Sequence, residues 1–333
     1  MHDPIAKYAD LEDPGIREFM TAAESLYPAD AINLTLAEQR TLYDRLCAHF
    51  RRERPVAVTT YDFAVGNVGC RLYRKSATAT PPAMLYLHGG GFILGGLESH
   101  DDICAEICDR AGIAVIGAEY RLSPEHIFPA AFEDCWLVLN HLARDGAAVH
   151  LDPAKIIVGG DSAGGNLAAA LALKARDEGG PKLMGQVLIY PGLGGDMSKG
   201  SYVSQANAPG LSRADIEYYR NIYCGPEGSP GYASKYAAPL QETDYRNLPP
   251  AFLVAARLDP LHDDCNEYAA RLEADGVRTL VRHEPKLVHA FLRARHMSDP
   301  ARDSFHAIVD ACFSLAFHGE LPQQSFQARQ ENT

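Results

Sequence analysis

Read for the recurrence of apolar positions, the chain changes character at about residue 55. Before it, helical spacing runs over 15–26 and 36–54, and Thr35-Leu36-Ala37-Glu38 supplies a capping box at the start of the second stretch. Stretches 56–65 and 68–75 then have strand character on either side of Gly66-Asn67, a pair suited to a tight turn at positive φ, so they read as a hairpin. From residue 83 onward short apolar runs alternate with helix-length segments. The runs at 83–88, 113–119, 155–159, 185–190, 250–255 and 277–283 are expected strands, and 99–111, 130–143, 166–176 and 263–275 are expected helices. Such alternation predicts an α/β fold with a mostly parallel central sheet flanked by helices. Ligands of such sheets bind at the carboxyl ends of the strands.

The alternation breaks once. Between Tyr190-Pro191 and Pro250 lies a stretch punctuated by glycine, serine and proline that holds one helical piece, 213–223. It is too long for an ordinary connection and reads as a lid. Its Tyr202, Tyr218, Tyr219 and Tyr223 are candidates for lining an acyl or alcohol pocket, or for packing the lid on the core. The expected organisation is an N-terminal helical part of a cap (1–54), a core (55–191), a cap insertion (192–238), a second core segment (239–318) and a polar, frayed tail (319–333). No internal repeat is apparent.

Composition narrows the class of partner. With 333 residues the chain can bury one large α/β core with an appended cap. The net charge of −12 disfavours nucleic acid and anionic membranes and favours a neutral or cationic small molecule. Eight cysteines occur without a C-x-x-C pair and read as reduced, mostly buried thiols. The acidic, proline-bearing start has no apolar signal region, and no later run is long enough to span a bilayer, so the expected location is cytoplasmic. Oligomeric state is left open, a homo-oligomer included.

The candidate chemistry centres on Gly160-Asp161-Ser162-Ala163-Gly164, a G-x-S-x-G pentapeptide between an apolar strand and a helix. A chain that leaves a buried strand and turns at once into a helix holds its middle residue in a strained, exposed conformation, and Gly160 and Gly164 leave room for it. Upstream, the strand ending at His88 is followed by Gly89-Gly90-Gly91-Phe92, where bare backbone can approach a substrate oxygen. Gly90, Gly91 and Ala163 are therefore the expected oxyanion-hole donors. A phosphate-cradling turn would want G-x-x-x-x-G-K-[ST], or G-x-G-x-x-G opening a helix, and neither is present.

A serine hydroxyl needs a neutral imidazole to take its proton and a carboxylate to orient that imidazole, in the chain order Ser, acid, His. Asp259 directly follows an expected strand, and Pro260 marks the turn; Asp263 and Asp264 read instead as capping residues of the next helix. Of the later histidines, His283 lies in a strand and His296 on an outer surface. His289, in the loop after the last strand, is the expected base. His88 reads as a brace for the glycine loop.

With these residues the chain resembles the bacterial hormone-sensitive-lipase-like (family IV) esterases of the α/β-hydrolase superfamily. The resemblance rests on His88-Gly-Gly-Gly-Phe92, Glu119-Tyr-Arg-Leu-Ser-Pro-Glu-His126 with Phe128-Pro-Ala-Ala131, Gly160-Asp-Ser-Ala-Gly-Gly165, Asp259-Pro-Leu261 and His289-Ala-Phe291, and covers roughly residues 80–295. It implies a triad of Ser162, Asp259 and His289 acting on a small neutral carboxylic ester of short to medium chain, with no metal and no organic cofactor. Two departures stand out: Ala290 where the family usually has glycine, and His262 where it usually has a basic residue. An amidase, deacetylase or thioesterase on the same triad, or a non-catalytic small-molecule receptor, is the alternative.

Overall fold

Eight strands, β1 (Val58–Val65), β2 (Val68–Lys75), β3 (Ala83–Leu87), β4 (Ala114–Glu119), β5 (Ile156–Asp161), β6 (Leu183–Ile189), β7 (Ala251–Leu258) and β8 (Thr279–Val288), form one sheet. Their order is β1-β2-β4-β3-β5-β6-β7-β8. This is a computed structural model, and it describes residues 8–75, 80–226 and 228–323. From β4 across to β8 every pairing is parallel, whereas β1 with β2 and β2 with β4 are antiparallel. The β1–β2 hairpin closes with Val65 opposite Val68, around Gly66-Asn67.

The helices are α1 (Pro14–Leu26), α2 (Leu36–Phe50), α3 (Asp101–Ala111), α4 (Ala130–Asp145), α5 (Ala163–Asp177), α6 (Ser201–Ser204), α7 (Arg213–Cys224), α8 (His262–Ala274) and α9 (Asp299–His318). Alternate residues of β3 feed two cores. Leu85 and Leu87 join side chains of α4, α5 and α8, while Met84 and Tyr86 join those of α1, α2, α3 and α9. All five residues of β3 and all six of β5 are buried, as parallel central strands covered on both faces must be.

Several boundaries differ from the sequence expectation, each for a local reason. Helix α2 has its capping box at Thr35 and Glu38 but stops at Phe50, four residues early. Pro55 disfavours helical geometry at Arg54, and the extended segment carries Arg51 to Glu98 at 3.0 Å and Arg54 to Asp101 at 2.7 Å. Strand β8 runs on to Val288 through Pro285, which an edge strand tolerates because one side of it lacks a partner. Helix α9 was not anticipated. Its Phe305, Ile308, Cys312 and Leu315 nevertheless recur at helical spacing and are buried, with Ser298 capping its start and Gly319 in the left-handed region at its end. The expected tail lies outside the described residues from 324 onward. All eight cysteines are buried and unpaired.

The loop after β8 is pinned by Arg295, only 1% exposed. Its guanidinium donates to Asp102 at 2.5 Å and Glu106 at 2.8 Å, both on α3. Burial pushes the Glu106 carboxyl up, but His296 and Arg295 outweigh it and hold the group down to about 2. Replacing one member of such a cluster leaves the others buried without compensation. Arg295→Met should therefore lower the unfolding free energy by about 3–5 kcal/mol in urea titrations at neutral pH. Because Glu106 is depressed in the folded state, its share of that stability should vanish as pH falls from the ordinary carboxylate range toward about 2.

Candidate active site

Strand β5 ends at Asp161, α5 begins at Ala163, and the single residue between them, Ser162, is held at φ 53° and ψ −119°. Its N–H donates to the Ile189 carbonyl of β6 at 2.9 Å, fixing the turn against the sheet. A side chain at Gly160 or Gly164 would run into the carbonyl oxygen of Leu87, so helix and neighbouring strand can meet this closely only over glycine. Helix α5 consequently starts at Ala163, three residues before the periodic pattern begins at 166, despite the poor helix propensity of Gly164 and Gly165. A non-glycine residue in this region costs roughly 1–3 kcal/mol, which the surrounding hydrogen bonds and packing must offset.

The sequence-expected partners converge on this serine. His289 follows β8 directly and places Nε2 2.9 Å from Ser162 Oγ, while its Nδ1 lies 2.7 Å from Asp259 Oδ2. Asp259, 1% exposed at the end of β7, also accepts from the Leu261 N–H at 2.8 Å. Donation from Nδ1 to the carboxylate leaves Nε2 as the acceptor for the serine hydroxyl. The Tyr190 ring, centroid 4.8 Å from that of His289, packs against the imidazole and limits its rotation. Ala290 stands in the left-handed region at φ 60°, the conformation that makes glycine usual there.

The glycine loop lies beside the elbow. Gly90 and Gly91 have φ 123° and 61°, and the loop turns back on itself through Ile93 and Leu94 N–H groups donating to the Gly90 carbonyl at 3.1 and 2.9 Å. Among the described residues, the N–H groups of Gly90, Gly91 and Ala163 have no protein acceptor, and all three residues line the same cavity as Ser162 and His289. His88 braces the loop as expected, with Nδ1 donating to the Gly89 carbonyl at 2.8 Å and its ring stacked on Tyr120 at 4.2 Å. Burial, reinforced by His100, pushes the His88 imidazole down to about 3, so it stays neutral.

Sequence reasoning missed the residue that joins these parts. Asp161 accepts from the Tyr86 hydroxyl at 2.7 Å, the Gly89 N–H at 3.1 Å and His100 Nε2 at 3.3 Å, tying elbow to glycine loop. Burial alone would raise its carboxyl, yet His100, Tyr86 and Arg293 outweigh it and hold the group well below the usual range. Arg293, also buried, donates to the Ser99 carbonyl at 3.0 Å and the Tyr43 hydroxyl at 3.1 Å, linking the histidine loop to α2. The only sequence signal for these contacts was the position of Asp161 inside the pentapeptide.

Ser162 opens into a cavity of about 660 Å³. Phe19, Met20 and Leu46 of the N-terminal helices, Ile103 of α3, and Leu211 and Ile216 of the insertion line it. Of the four tyrosines considered from sequence, Tyr202, Tyr219 and Tyr223 line it. Tyr218 instead takes a hydrogen bond from Gln39 at 2.9 Å.

Residues 84–293 match the model of a family described as alpha/beta hydrolase fold. The chain is 38% identical over 234 residues to esterase LipI of Mycobacterium tuberculosis, covering 69% of this chain and 73% of the relative. It is 32% identical over 294 residues to an arylesterase of Saccharolobus solfataricus, covering 84% and 92%. Among solved structures, one titled bacterial heroin esterase superposes with a TM-score of 0.83 at 31% identity, covering 91% of this chain and 98% of that one.

Asp263 and Asp264 both fall in the first turn of α8, but neither caps it. Asp263 accepts from the Ser201 N–H at 2.8 Å; Asp264 accepts from the Leu193 N–H at 2.6 Å and the Tyr202 hydroxyl at 3.0 Å, and so fastens the base of the insertion. Burial pushes the Asp264 carboxyl up to about 7 against the pull of those donors. A raised folded value stabilises at low pH and loses that contribution as pH rises. Asp264→Asn should accordingly gain stability relative to wild type between pH 5 and 7, by at most about 1.4 kcal/mol per pH unit, and the difference should level off above that range in urea titrations.

Proposed function

The chain belongs to the hormone-sensitive-lipase-like branch of the alpha/beta hydrolases, and we propose that it is a serine carboxylesterase acting on short- to medium-chain carboxylic esters. The observation that carries this reading is the continuous relay from Asp259 through His289 to Ser162, at 2.7 and 2.9 Å, opening beside three unengaged backbone N–H groups. The names of the relatives as esterases support the same chemistry.

In this mechanism Ser162 Oγ forms a bond to the ester carbonyl carbon as its proton passes to His289 Nε2. The carbonyl oxygen gains the electron pair and rests on the N–H groups of Gly90, Gly91 and Ala163. Collapse of that intermediate breaks the bond to the alkoxy oxygen, which leaves with the proton from His289. Water then attacks the acyl-serine, its proton again passing to His289 and then to Ser162 Oγ as the acid departs. Asp259 orients the ring and stabilises the imidazolium in both halves.

The apolar walls and size of the cavity support acyl chains of several carbons. The N–H groups at the start of α5 add a positive dipole end beside the developing oxyanion. No helix among the described residues is long and apolar enough to cross a membrane, and the eight unpaired thiols support a cytoplasmic location.

Hydrolysis of p-nitrophenyl esters from acetate to palmitate tests the reading. Wild type should be fastest on short to medium chains. Ser162→Ala should lose about 10⁵–10⁶ in kcat and Asp259→Asn about 10³–10⁴. A Ser162→Ala protein that keeps more than about a hundredth of the wild-type rate would refute the mechanism, since triad members act as a unit.

A further inference from the structure

We propose that α7 of the insertion positions the oxyanion loop, with Tyr219 and Tyr223 as its two points of contact, so that this helix sets the aim of the Gly90 and Gly91 N–H groups as well as covering the pocket. The inference rests on the reading of Ser162 as the nucleophile of an acyl transfer.

Tyr219 and Tyr223 are four residues apart on α7 and so share a face of the helix. They meet successive residues of the loop. A Cβ built on Gly91 would stand 2.6, 2.8 and 2.9 Å from Cγ, Cδ1 and Cδ2 of Tyr219, so the ring lies flat on the bare α-carbon. The Tyr223 ring is stacked on Phe92, centroids 3.6 Å apart and planes within 5°. Both loop residues are left-handed, with φ 61° at Gly91 and 65° at Phe92. For phenylalanine that conformation is uncommon and persists only where the surroundings impose it.

The other side of the loop is anchored independently. Arg40 of α2 donates to the Ile93 carbonyl at 2.9 Å, and the Ser123 N–H donates to the Phe92 carbonyl at 3.0 Å. Helix α7 is itself started by a capping box of Ser212 and Asp215 and tied down where the Phe128 N–H donates to the Tyr223 carbonyl at 2.8 Å. The loop is thus gripped between α2 and α7. Oxyanion donors act by standing ready where charge will develop, so loosening this grip harms the transition state more than the bound ester. The contact with Gly91 is made by the ring carbons of Tyr219, not by its hydroxyl. The ring is therefore the positioning part, and phenylalanine should replace it.

The test compares Tyr219→Phe, Tyr219→Leu and Tyr219→Ala with wild type in two readouts: kcat and KM on p-nitrophenyl butyrate, and the rate at which a fluorophosphonate modifies Ser162. Tyr219→Phe should stay within about threefold of wild type. Tyr219→Ala should lose about 10–100-fold in kcat with KM changed less than about threefold, and phosphonylation should slow by the same factor, since a misaimed donor costs less than an absent one. Tyr219→Leu, which keeps an apolar side chain but no flat face, should fall between them and stands in if the alanine variant does not fold. A rise in KM at unchanged kcat would make Tyr219 a wall of the pocket only and overturn the proposal. Equal losses in Tyr219→Phe and Tyr219→Ala would overturn it in favour of the hydroxyl. Wild-type protein that neither cleaves esters nor reacts with the phosphonate would instead defeat the serine-hydrolase reading beneath it.

Discussion

The structure depends on one close approach, that of the α5 N-terminus to the carbonyl of Leu87 at the end of β3. Gly160 and Gly164 allow it, and any side chain there would push helix and strand apart. Because β3 and β5 are neighbours in the sheet, the approach puts the serine turn and the glycine loop side by side at the same strand ends. Asp161 then binds them together through Tyr86, Gly89 and His100. Ser162 and the Gly90 and Gly91 N–H groups are thereby held as one unit, which the proposed stabilisation of a developing charge requires.

Asp259 and His289 are brought to that unit by sheet order. Strands β7 and β8 lie beyond β6, and the residues just past their ends, Asp259 and His289, reach back along the same rim to Ser162. The histidine loop is strained at Ala290 and contains two buried arginines. Arg293 fixes it to Ser99 and Tyr43, and Arg295 to Asp102 and Glu106. These pairs fix the loop that carries the imidazole, and the Tyr190 ring packs against the imidazole itself. Electrostatic pairing of distant segments here serves geometry as much as stability.

The parts legible in the sequence were those set by local rules. Ser162 and Ala163 follow from a strand, a glycine-bordered turn and a helix; Gly90 and Gly91 from a run of glycines after a strand; Asp259 and His289 from their order and their positions after strands. All six come together around the cavity or the relay. The contacts that hold them were not legible, because Asp161 with His100, Arg293 with Tyr43, and Tyr219 with Gly91 join residues whose spacing obeys no periodic rule. Helix α9 is a different case, since its apolar spacing and both caps are present in the chain and needed only to be counted. Strand β8 outruns its expected end at 283 for a physical reason: as an edge strand it tolerates Pro285.

The proposed chemistry turns on a proton shared by the side chains at positions 162 and 289. Peptide mapping after reaction with a fluorophosphonate, run on wild type and on His289→Ala, interrogates that sharing directly. A single adduct on Ser162 that forms rapidly in wild type and is slowed by orders of magnitude in the variant is the result expected. An adduct on another residue, or one on Ser162 formed equally fast without the imidazole, would contradict it.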